Sequence, residues 1–269
     1  MTRFACLPAV AIILTAACGS PGPERPAATP AAPRYVDLTH ELSADNIFWP
    51  TGDTFRLDKV ADGVTDKGYY YASNKYSGNE HGGTHIDAPV HFAQGRWTVD
   101  QIPLDRLIGA AIVVDVSAAS SRNPDYQVSV EDFTAWEKVN GAIEPGMIVL
   151  LRTDFARRWP DAKTYLGTDE RGEAAVAKLH FPGLHPDAAT WLVERKVKAV
   201  GLDTASIDFG QSTLYESHRR LYEQNIPAFE NLTGLDGLPA RGATVFALPI
   251  KIKGGSGGPL RAIAVLPAS

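Results

Sequence analysis

Short apolar runs alternate with helix-like patterns from about residue 35 to the end of the chain. The apolar runs are rich in Val, Ile and Leu, and several lack the polar alternation of a strand with one wet face. Strands that are covered on both faces have this continuous apolar pattern. We therefore predict strands at residues 111–116, 147–152, 197–203, 244–250 and 262–266.

Helical spacing of apolar residues marks three further segments, and two of them have recognisable starts. Ser129 is followed three residues later by Asp132, as in a capping box, and Pro186 suits the first turn of a helix. Strands that alternate with helices indicate an α/β fold. The predicted helices cover residues 130–139, 186–196 and 213–225.

Residues 36–92 lack this alternation. They have few helix signals and many Gly, Asp, Asn and Thr residues. Such residues favour turns and interrupt helices. We therefore predict loops and β-hairpins in this range, arranged around the candidate site.

The N-terminal segment has the pattern of an exported protein. Arg3 precedes a mainly apolar run at residues 7–16, which fits a signal peptide and is too short to span a bilayer. Small residues then precede Cys18, as in a bacterial lipobox. We predict a lipoprotein-type signal peptide at residues 1–17 and a lipid anchor on Cys18. Cleavage without lipid is the alternative, and it also implies export to the bacterial cell envelope or periplasm.

Composition sets the remaining limits. Residues 18–34 are rich in Pro and Ala and predict an extended tether, followed by one domain at residues 35–269. Cys6 and Cys18 are the only cysteines, so the mature chain would have no intramolecular disulfide. The net charge is −5 and no basic stripe is present, which argues against nucleic-acid binding and favours a small organic substrate.

The clearest chemical signal is the segment HGGTHIDAPVH at residues 81–91. His81, His85, Asp87 and His91 all occupy odd positions, which point to one face of an extended chain. Histidine and carboxylate together suit zinc, manganese or iron(II). A hydrogen-bonded cluster without a metal is the alternative, but three of the seven histidines fall within these eleven residues, which favours a metal site.

Gly82, Gly83 and Pro89 shape the expected conformation of this segment. They make a helix unfavourable, so we predict a loop that runs into a strand. The glycines would let the backbone approach an ion closely. Pro89 would fix a turn that brings His91 back toward the other side chains.

A second candidate pair lies downstream. His218 shares a predicted helical face with Leu221 and Tyr222, a position that is also typical of a core histidine. Glu230 lies in an apolar, strand-like run after Pro227. A buried carboxylate is rare unless it is paired or bound to a metal, so Glu230 is a candidate ligand.

The segment HGGTHIDAPVHF resembles the H-x-G-T-H-x-D-x-P-x-H motif of the metal-dependent cyclase-like hydrolase family, which includes bacterial kynurenine formamidases and isatin hydrolases. The resemblance implies a swivelling β/β/α domain that assembles as a homodimer or higher homo-oligomer. It covers most of the chain after Tyr35 and includes Phe48-Trp49-Pro50, Gly201-Leu202-Asp203-Thr204, His218 with Glu230, and Gly254-Gly255-Ser256-Gly257-Gly258-Pro259.

The same resemblance implies a ligand set for one or two divalent ions per subunit, zinc or manganese. His81 and His85 match the histidine ligands of the first ion. Asp87 matches a carboxylate that can bridge two ions. His218 and Glu230 match the histidine and the second bridging carboxylate of the other ion.

Two further roles follow from the resemblance. His91 matches a histidine that donates and accepts protons, and Trp49 matches an aromatic residue that lines the substrate pocket. The implied reaction is hydrolysis of an amide C–N bond in a small aromatic substrate, as in an arylformamidase, by water activated at the ion. Opening of a cyclic amide or lactone at the same site is one alternative. A lipoprotein that binds metal or ligand without turnover is another, although it would need no proton shuttle beside its ligands.

Overall fold

The computed structural model describes residues 32–267. The predicted signal peptide, Cys18 and most of the predicted tether lie outside the described residues. Strands β1 to β12 are Arg34–Asp37, Arg56–Val64, Tyr70–Ser77, His85–Asp87, Ile108–Asp115, Gln127–Val128, Ile148–Arg152, Gly183–Leu184, Ala199–Leu202, Ala228–Glu230, Arg241–Pro249 and Gly257–Leu266. Helices α1 to α7 are Leu104–Leu107, Ser117–Ser120, Val130–Asn140, Ala162–Leu166, Glu173–Val176, Pro186–Glu194 and Glu216–Tyr222.

One large mixed sheet organises these elements. Its strand order is β1-β12-β11-β5-β7-β9-β10-β4, and β12 also pairs with β4, so the sheet closes into a barrel. The strands β5, β7, β9 and β10 run parallel, while the other pairings are antiparallel. The α/β class predicted from the sequence is confirmed. Within residues 32–267, no helix has both the length and the apolar character needed to cross a bilayer.

Two cores explain why the central strands read as continuous apolar runs. In β7, Ile148 and Leu150 pack in the barrel interior, whereas Val149 and Leu151 pack on the opposite face, in the layer that includes Phe133 of α3. Because both faces are covered, neither set of alternating side chains can be polar. The five predicted strands are all present, with bounds that differ by a few residues.

The three predicted helices are present as α3, α6 and α7. Ser129 and Asp132 form the predicted capping box of α3, and α6 begins at Pro186. Helix α7 begins later than predicted because Tyr215, just before it, has a left-handed backbone with φ of 48°, and it ends earlier, at Tyr222. The strand predicted at residues 262–266 is also longer than expected, since β12 begins at Gly257. Pairing with β4 stabilises Gly257 and Gly258, which have little strand propensity of their own.

Candidate functional site

Strand β4 carries the centre of the histidine motif and lies between β10 and β12. In the register of β4 with β10, His85 is opposite Glu230 and Asp87 is opposite Ala228. Side chains two residues apart share a face, and direct cross-strand neighbours lie next to each other. His85, Asp87 and Glu230 therefore point into one space.

The local conformation of the motif agrees with the prediction of a loop that runs into a strand. Pro89–His91 forms a short 3-10 turn, and this turn brings His91 back beside His81. Their rings stack with centroids 3.9 Å apart. The expected role of Pro89 is thus confirmed.

The glycines of the motif also shape the site through contacts with the protein itself. A Cβ atom on Gly82 would lie 1.9 Å from Cδ1 of Phe48, so this glycine gives room to an aromatic ring. Gly83 has a left-handed backbone with φ of 60°, and its carbonyl oxygen faces Nδ1 of His85 at 2.9 Å. The glycines therefore shape the wall of the site and orient a histidine.

His85 and the two carboxylates form the buried centre of the site. Nε2 of His85 lies 3.2 Å from Oδ1 of Asp87 and 3.4 Å from Oε2 of Glu230. Nδ1 of His85 donates a hydrogen bond to the carbonyl oxygen of Gly83. The other ring nitrogen, Nε2, has no hydrogen-bond partner among the described residues. Burial disfavours a charge on this ring, but Asp87 and Glu230 outweigh it and raise the pKa of His85 to about 10. The two carboxylates therefore attract a cation to this point.

His218 reaches the same carboxylates from the opposite side. Its Nε2 lies 3.2 Å from Oε1 of Glu230 and 3.5 Å from Oδ2 of Asp87. Its Nδ1 lies 2.5 Å from Oδ2 of Asp208. Asp208 also accepts hydrogen bonds from the backbone N–H groups of Ser217 and His218. This carboxylate therefore fixes the ring and the first turn of α7 together, as second-layer carboxylates do for metal-binding histidines.

Tyr222 completes the surroundings of Asp87. Its hydroxyl donates to Oδ2 of Asp87 at 2.8 Å, one turn of α7 after His218. Burial and the nearby carboxylates raise the pKa of Tyr222 well above its ordinary value, so the phenol stays protonated. Burial opposes ionisation of Asp87, but the charge of His81 and the hydrogen bonds of His218 and His81 lower its pKa well below the usual range.

His81 and His91 lie toward the outside of the site. Nδ1 of His81 is 2.6 Å from Oδ1 of Asp87. Ligand atoms of His81, Asp87 and His91 all lie within 4.8 Å of one another, and so do those of His85, Asp87 and Glu230. Asp87 is thus shared by two groups of candidate ligands.

A cavity of about 300 Å³ opens onto these side chains. Phe92 forms one wall, with its ring centroid 4.7 Å from His218 and 5.0 Å from Tyr215. Trp49 lines the same cavity, as predicted, and meets Tyr215 edge to face. One side of the cavity is therefore lined largely by aromatic rings, and the other by the histidines and carboxylates that could bind a metal ion.

The β-hairpins expected around the site are only partly found there. Strands β2 and β3 do form a long antiparallel hairpin. Among the described residues, none of those that line the cavity belongs to β2 or β3. The two strands form a sheet of their own, separate from the barrel.

All of the predicted site residues converge on this cavity: Trp49, His81, His85, Asp87, His91, His218 and Glu230. Sequence reasoning missed Asp208, Tyr222, Phe92 and Tyr215. Asp208 had a detectable signal, since it is a carboxylate in the otherwise apolar run Ile207-Asp208-Phe209. The sequence pattern predicts Tyr222 only as an apolar neighbour of His218 on the helix.

The family model "Cyclase: Putative cyclase" matches residues 36–209, which include the whole histidine motif. The chain belongs to the cyclase family. It is an enzyme, a metal-dependent amidohydrolase, as the motif predicts.

Two characterised relatives agree with this membership. Isatin hydrolase of Roseibium aggregatum is 35% identical over 219 residues, which cover 78% of this chain and 81% of that protein. Kynurenine formamidase of Salinibacter ruber is 30% identical over 232 residues, or 85% of this chain and 95% of that protein.

Solved structures confirm the predicted cyclase-like fold. Isatin hydrolase A from Ralstonia solanacearum has a TM-score of 0.79 and 35% identity, covering 87% of this chain and 92% of its own. An isatin hydrolase bound to the product analogue thioisatinate has a TM-score of 0.80 and 30% identity, covering 87% and 93%. The barrel and the surrounding helices are thus a shared framework.

The residues of this site fit a divalent cation on their own geometry. Nε2 of His85 is buried, has no hydrogen-bond partner in the described part of the chain, and faces two carboxylate oxygens. Buried carboxylates need a compensating charge, and imidazole with carboxylate is a donor set that suits zinc or manganese.

Proposed function

We propose that this enzyme cleaves an amide C–N bond in a small aromatic substrate. The observation that carries the proposal is the placement of two buried carboxylates, Asp87 and Glu230, between the Nε2 atoms of His85 and His218 at the floor of an aromatic cavity. That arrangement concentrates negative charge where a cation would meet a substrate carbonyl.

The ligand assignment follows the two sides of the carboxylates. His81 and His85 would hold one ion on the Oδ1 side of Asp87. His218 would hold a second ion on the Oδ2 side, with Glu230 facing both positions. When bound, a divalent ion here supplies Lewis acidity, which activates water and polarises the scissile carbonyl. We propose zinc or manganese, with one or two ions per subunit.

We assign the proton-transfer role to His91. It lines the cavity beside His81, at the end of the turn begun by Pro89. Burial lowers the pKa of His91 to about 4, so its ring is neutral at neutral pH and can accept a proton, and the leaving nitrogen of an amide needs a proton as the C–N bond breaks. The ring of His91 is placed to hold that proton on the substrate side of the ligands.

The cavity favours a flat aromatic substrate. Trp49, Phe92 and Tyr215 present ring faces and edges to the space above the ligands. An open-chain arylformamide, such as N-formylkynurenine, is one candidate. A cyclic amide such as isatin is the second, and it is favoured by the 35% identity to isatin hydrolases.

A substrate comparison tests this function. Purified protein loaded with zinc or manganese is assayed with isatin, N-formylkynurenine and a set of simple lactones. We expect turnover of at least one aromatic amide and little activity on aliphatic lactones. Binding of metal without turnover of any compound would contradict the enzymatic proposal and favour a binding protein.

We further propose that the chain forms a homodimer or higher homo-oligomer through the β2–β3 hairpin. Leu57 and Tyr76 are cross-strand partners and are 59% and 61% exposed. An isolated two-stranded hairpin is marginally stable in water, and an exposed apolar patch marks an association surface. Light scattering should show an oligomer, and replacing both residues with Ser should lower its mass. A monomeric wild-type protein would contradict this proposal.

Export to the cell envelope is proposed from the N-terminal sequence alone. The predicted signal peptide, with Cys18 as the lipid attachment site, would anchor the enzyme to a membrane through its tether. Incorporation of labelled palmitate into the wild-type chain, and its loss in Cys18→Ala, would support the anchor. Retention of the uncleaved chain in the cytoplasm would contradict it.

A further inference from the structure

The glycine-rich segment before and at the start of β12 packs directly against the first histidine of the motif. A Cβ atom on Gly257 would lie 2.6 Å from Cε1 of His81, and one on Gly255 would lie 2.7 Å from Oε1 of Glu80. At Gly257 the same Cβ would also lie 2.6 Å from the backbone carbonyl oxygen of Ile86, so a side chain does not fit there without a shift of the backbone. The segment therefore lies close enough for the side chain between the glycines, Ser256, to meet His81.

Ser256 links His81 to a carboxylate. Its Oγ lies 2.9 Å from Nε2 of His81 and donates to Oε2 of Glu80 at 2.7 Å. The backbone N–H of Ser256 donates to the same carboxylate oxygen at 2.9 Å. Since a hydroxyl has one proton, and Glu80 receives it, Ser256 can only accept from His81.

This hydrogen-bond order decides which nitrogen of His81 carries a proton. Nε2 must donate to Ser256, so Nδ1 is the ring nitrogen that faces Oδ1 of Asp87, at 2.6 Å. A bare nitrogen and a carboxylate oxygen repel each other at that distance unless a cation or a proton lies between them. Orientation of one ring nitrogen by the partner of the other is common in metal sites.

We propose that Glu80 and Ser256 are positioning residues that keep the proton of His81 on Nε2 and so present Nδ1 as a ligand for the divalent cation. Together with His81 they form a relay, which we call the Glu80–Ser256–His81 relay. The proposal rests on the metal site proposed above. It gives a specific role to the glycine-rich segment, which brings Ser256 within reach of a histidine 175 residues earlier in the chain.

Zinc affinity is the first test of the relay. Zinc binding to the full chain is measured by competition with a chelator for the wild type and for Ser256→Ala, Glu80→Gln and Asp100→Ala. We expect Ser256→Ala to bind zinc about 10–100-fold more weakly, the usual cost of losing such a partner. Glu80→Gln keeps an acceptor oxygen and should lose less.

Asp100 provides a matched control for this measurement. Its Oδ1 accepts from the backbone N–H of Gly254, so it anchors the same segment without touching His81. Asp100→Ala should retain nearly full zinc affinity. If it loses as much as Ser256→Ala, the segment acts only as a packing element and the relay is wrong.

Nitrogen NMR of histidine-labelled protein reads the tautomer directly. The chain has seven histidines, and the His81 signals are assigned by their loss in His81→Ala. We expect a protonated Nε2 in both the ion-free and the zinc-loaded protein, and a more rapidly exchanging proton in Ser256→Ala and Glu80→Gln. A wild-type His81 with its only proton on Nδ1 would overturn the relay, and the ion-free spectrum decides this even if the chain binds no zinc. Failure to bind zinc would refute the proposed metal site separately.

Discussion

The inner and outer sides of the site differ in how firmly the fold holds their histidines. On the inner side, the side chains of His85 and His218 are each 3% exposed. Nδ1 of His85 is held by the carbonyl oxygen of Gly83, and Nδ1 of His218 by the carboxylate of Asp208. On the outer side, His81 is 22% exposed and His91 borders the cavity. The inner side presents preformed ligand nitrogens, while the outer side holds a further candidate ligand, His81, and places His91 against the cavity.

This difference assigns proton transfer to His91 and ion binding to the histidines that partners hold in place, including His81 on the outer side. Side chains that are buried and doubly fixed lose little entropy when an ion binds, so they suit a role as ligands. A partly exposed ring beside the cavity can exchange protons with substrate and water. Variants on the two sides should therefore fail in different ways.

The largest effect is expected for Asp87, which both sides share. Asp87→Ala removes the oxygen atoms that face His81, His85 and His218, so the protein should lose its bound metal and its activity. Metal content after gel filtration measures this. Asp203→Asn is a control, because Asp203 is also a buried carboxylate but binds Thr153 and lies outside the ligand set. A fully metallated Asp87→Ala protein would refute the ligand assignment.

His91 should give the clearest separation of the two sides. His91→Ala is expected to keep its metal while turnover falls about 100-fold or more, the usual contribution of a general acid and base. Metal analysis and kcat are measured on the same sample. His180→Ala, at an exposed histidine paired with Asp125, should change neither quantity. Loss of metal from His91→Ala would move His91 to the ligand set.

A variant of Asp208 tests whether this carboxylate is needed to orient His218. Asp208→Asn keeps the size of the side chain but weakens its hold on His218, so zinc affinity should fall about 10–100-fold. The loss should appear in metal affinity, with kcat restored at saturating zinc. Unchanged affinity would mean that the packing of α7 alone orients His218.

A smaller, graded effect is expected from pH. The carboxylates raise the pKa of His85 to about 10, so this ring carries a proton at neutral pH in the ion-free protein, and an ion must displace it. Zinc affinity should therefore rise as the pH rises toward that pKa and fall as the medium becomes acidic. Calorimetry in two buffers of different ionisation enthalpy counts the protons released. Binding without proton release would contradict the charge state assigned to His85.

Much of this organisation could be predicted from the sequence, because it depends on local pattern. The runs at β5 and β7 are apolar since both faces are buried, and the motif around Pro89 specifies its own turn. The family resemblance supplied His218 and Glu230, which pattern alone left open. Their convergence with His85 depends on the cross-strand register of β4 and β10.

The supporting contacts could not be predicted in the same way. Ser256 meets His81 across 175 residues, and Tyr222 meets Asp87 across 135 residues. Neither contact leaves a periodic signal, since each depends on how the barrel closes. The contact of Gly82 with the ring of Phe48 could not be predicted for the same reason, because the two residues are far apart in the sequence.

Removal and return of the metal tests the central claim most directly. The enzyme is stripped with a chelator, and hydrolysis of the best aromatic amide is followed as zinc or manganese is added back in known amounts. We predict that activity disappears on stripping and returns in proportion to bound ion, reaching its maximum at one or two ions per chain, with no recovery in Asp87→Ala. Full hydrolytic activity in the metal-free wild type would contradict the account.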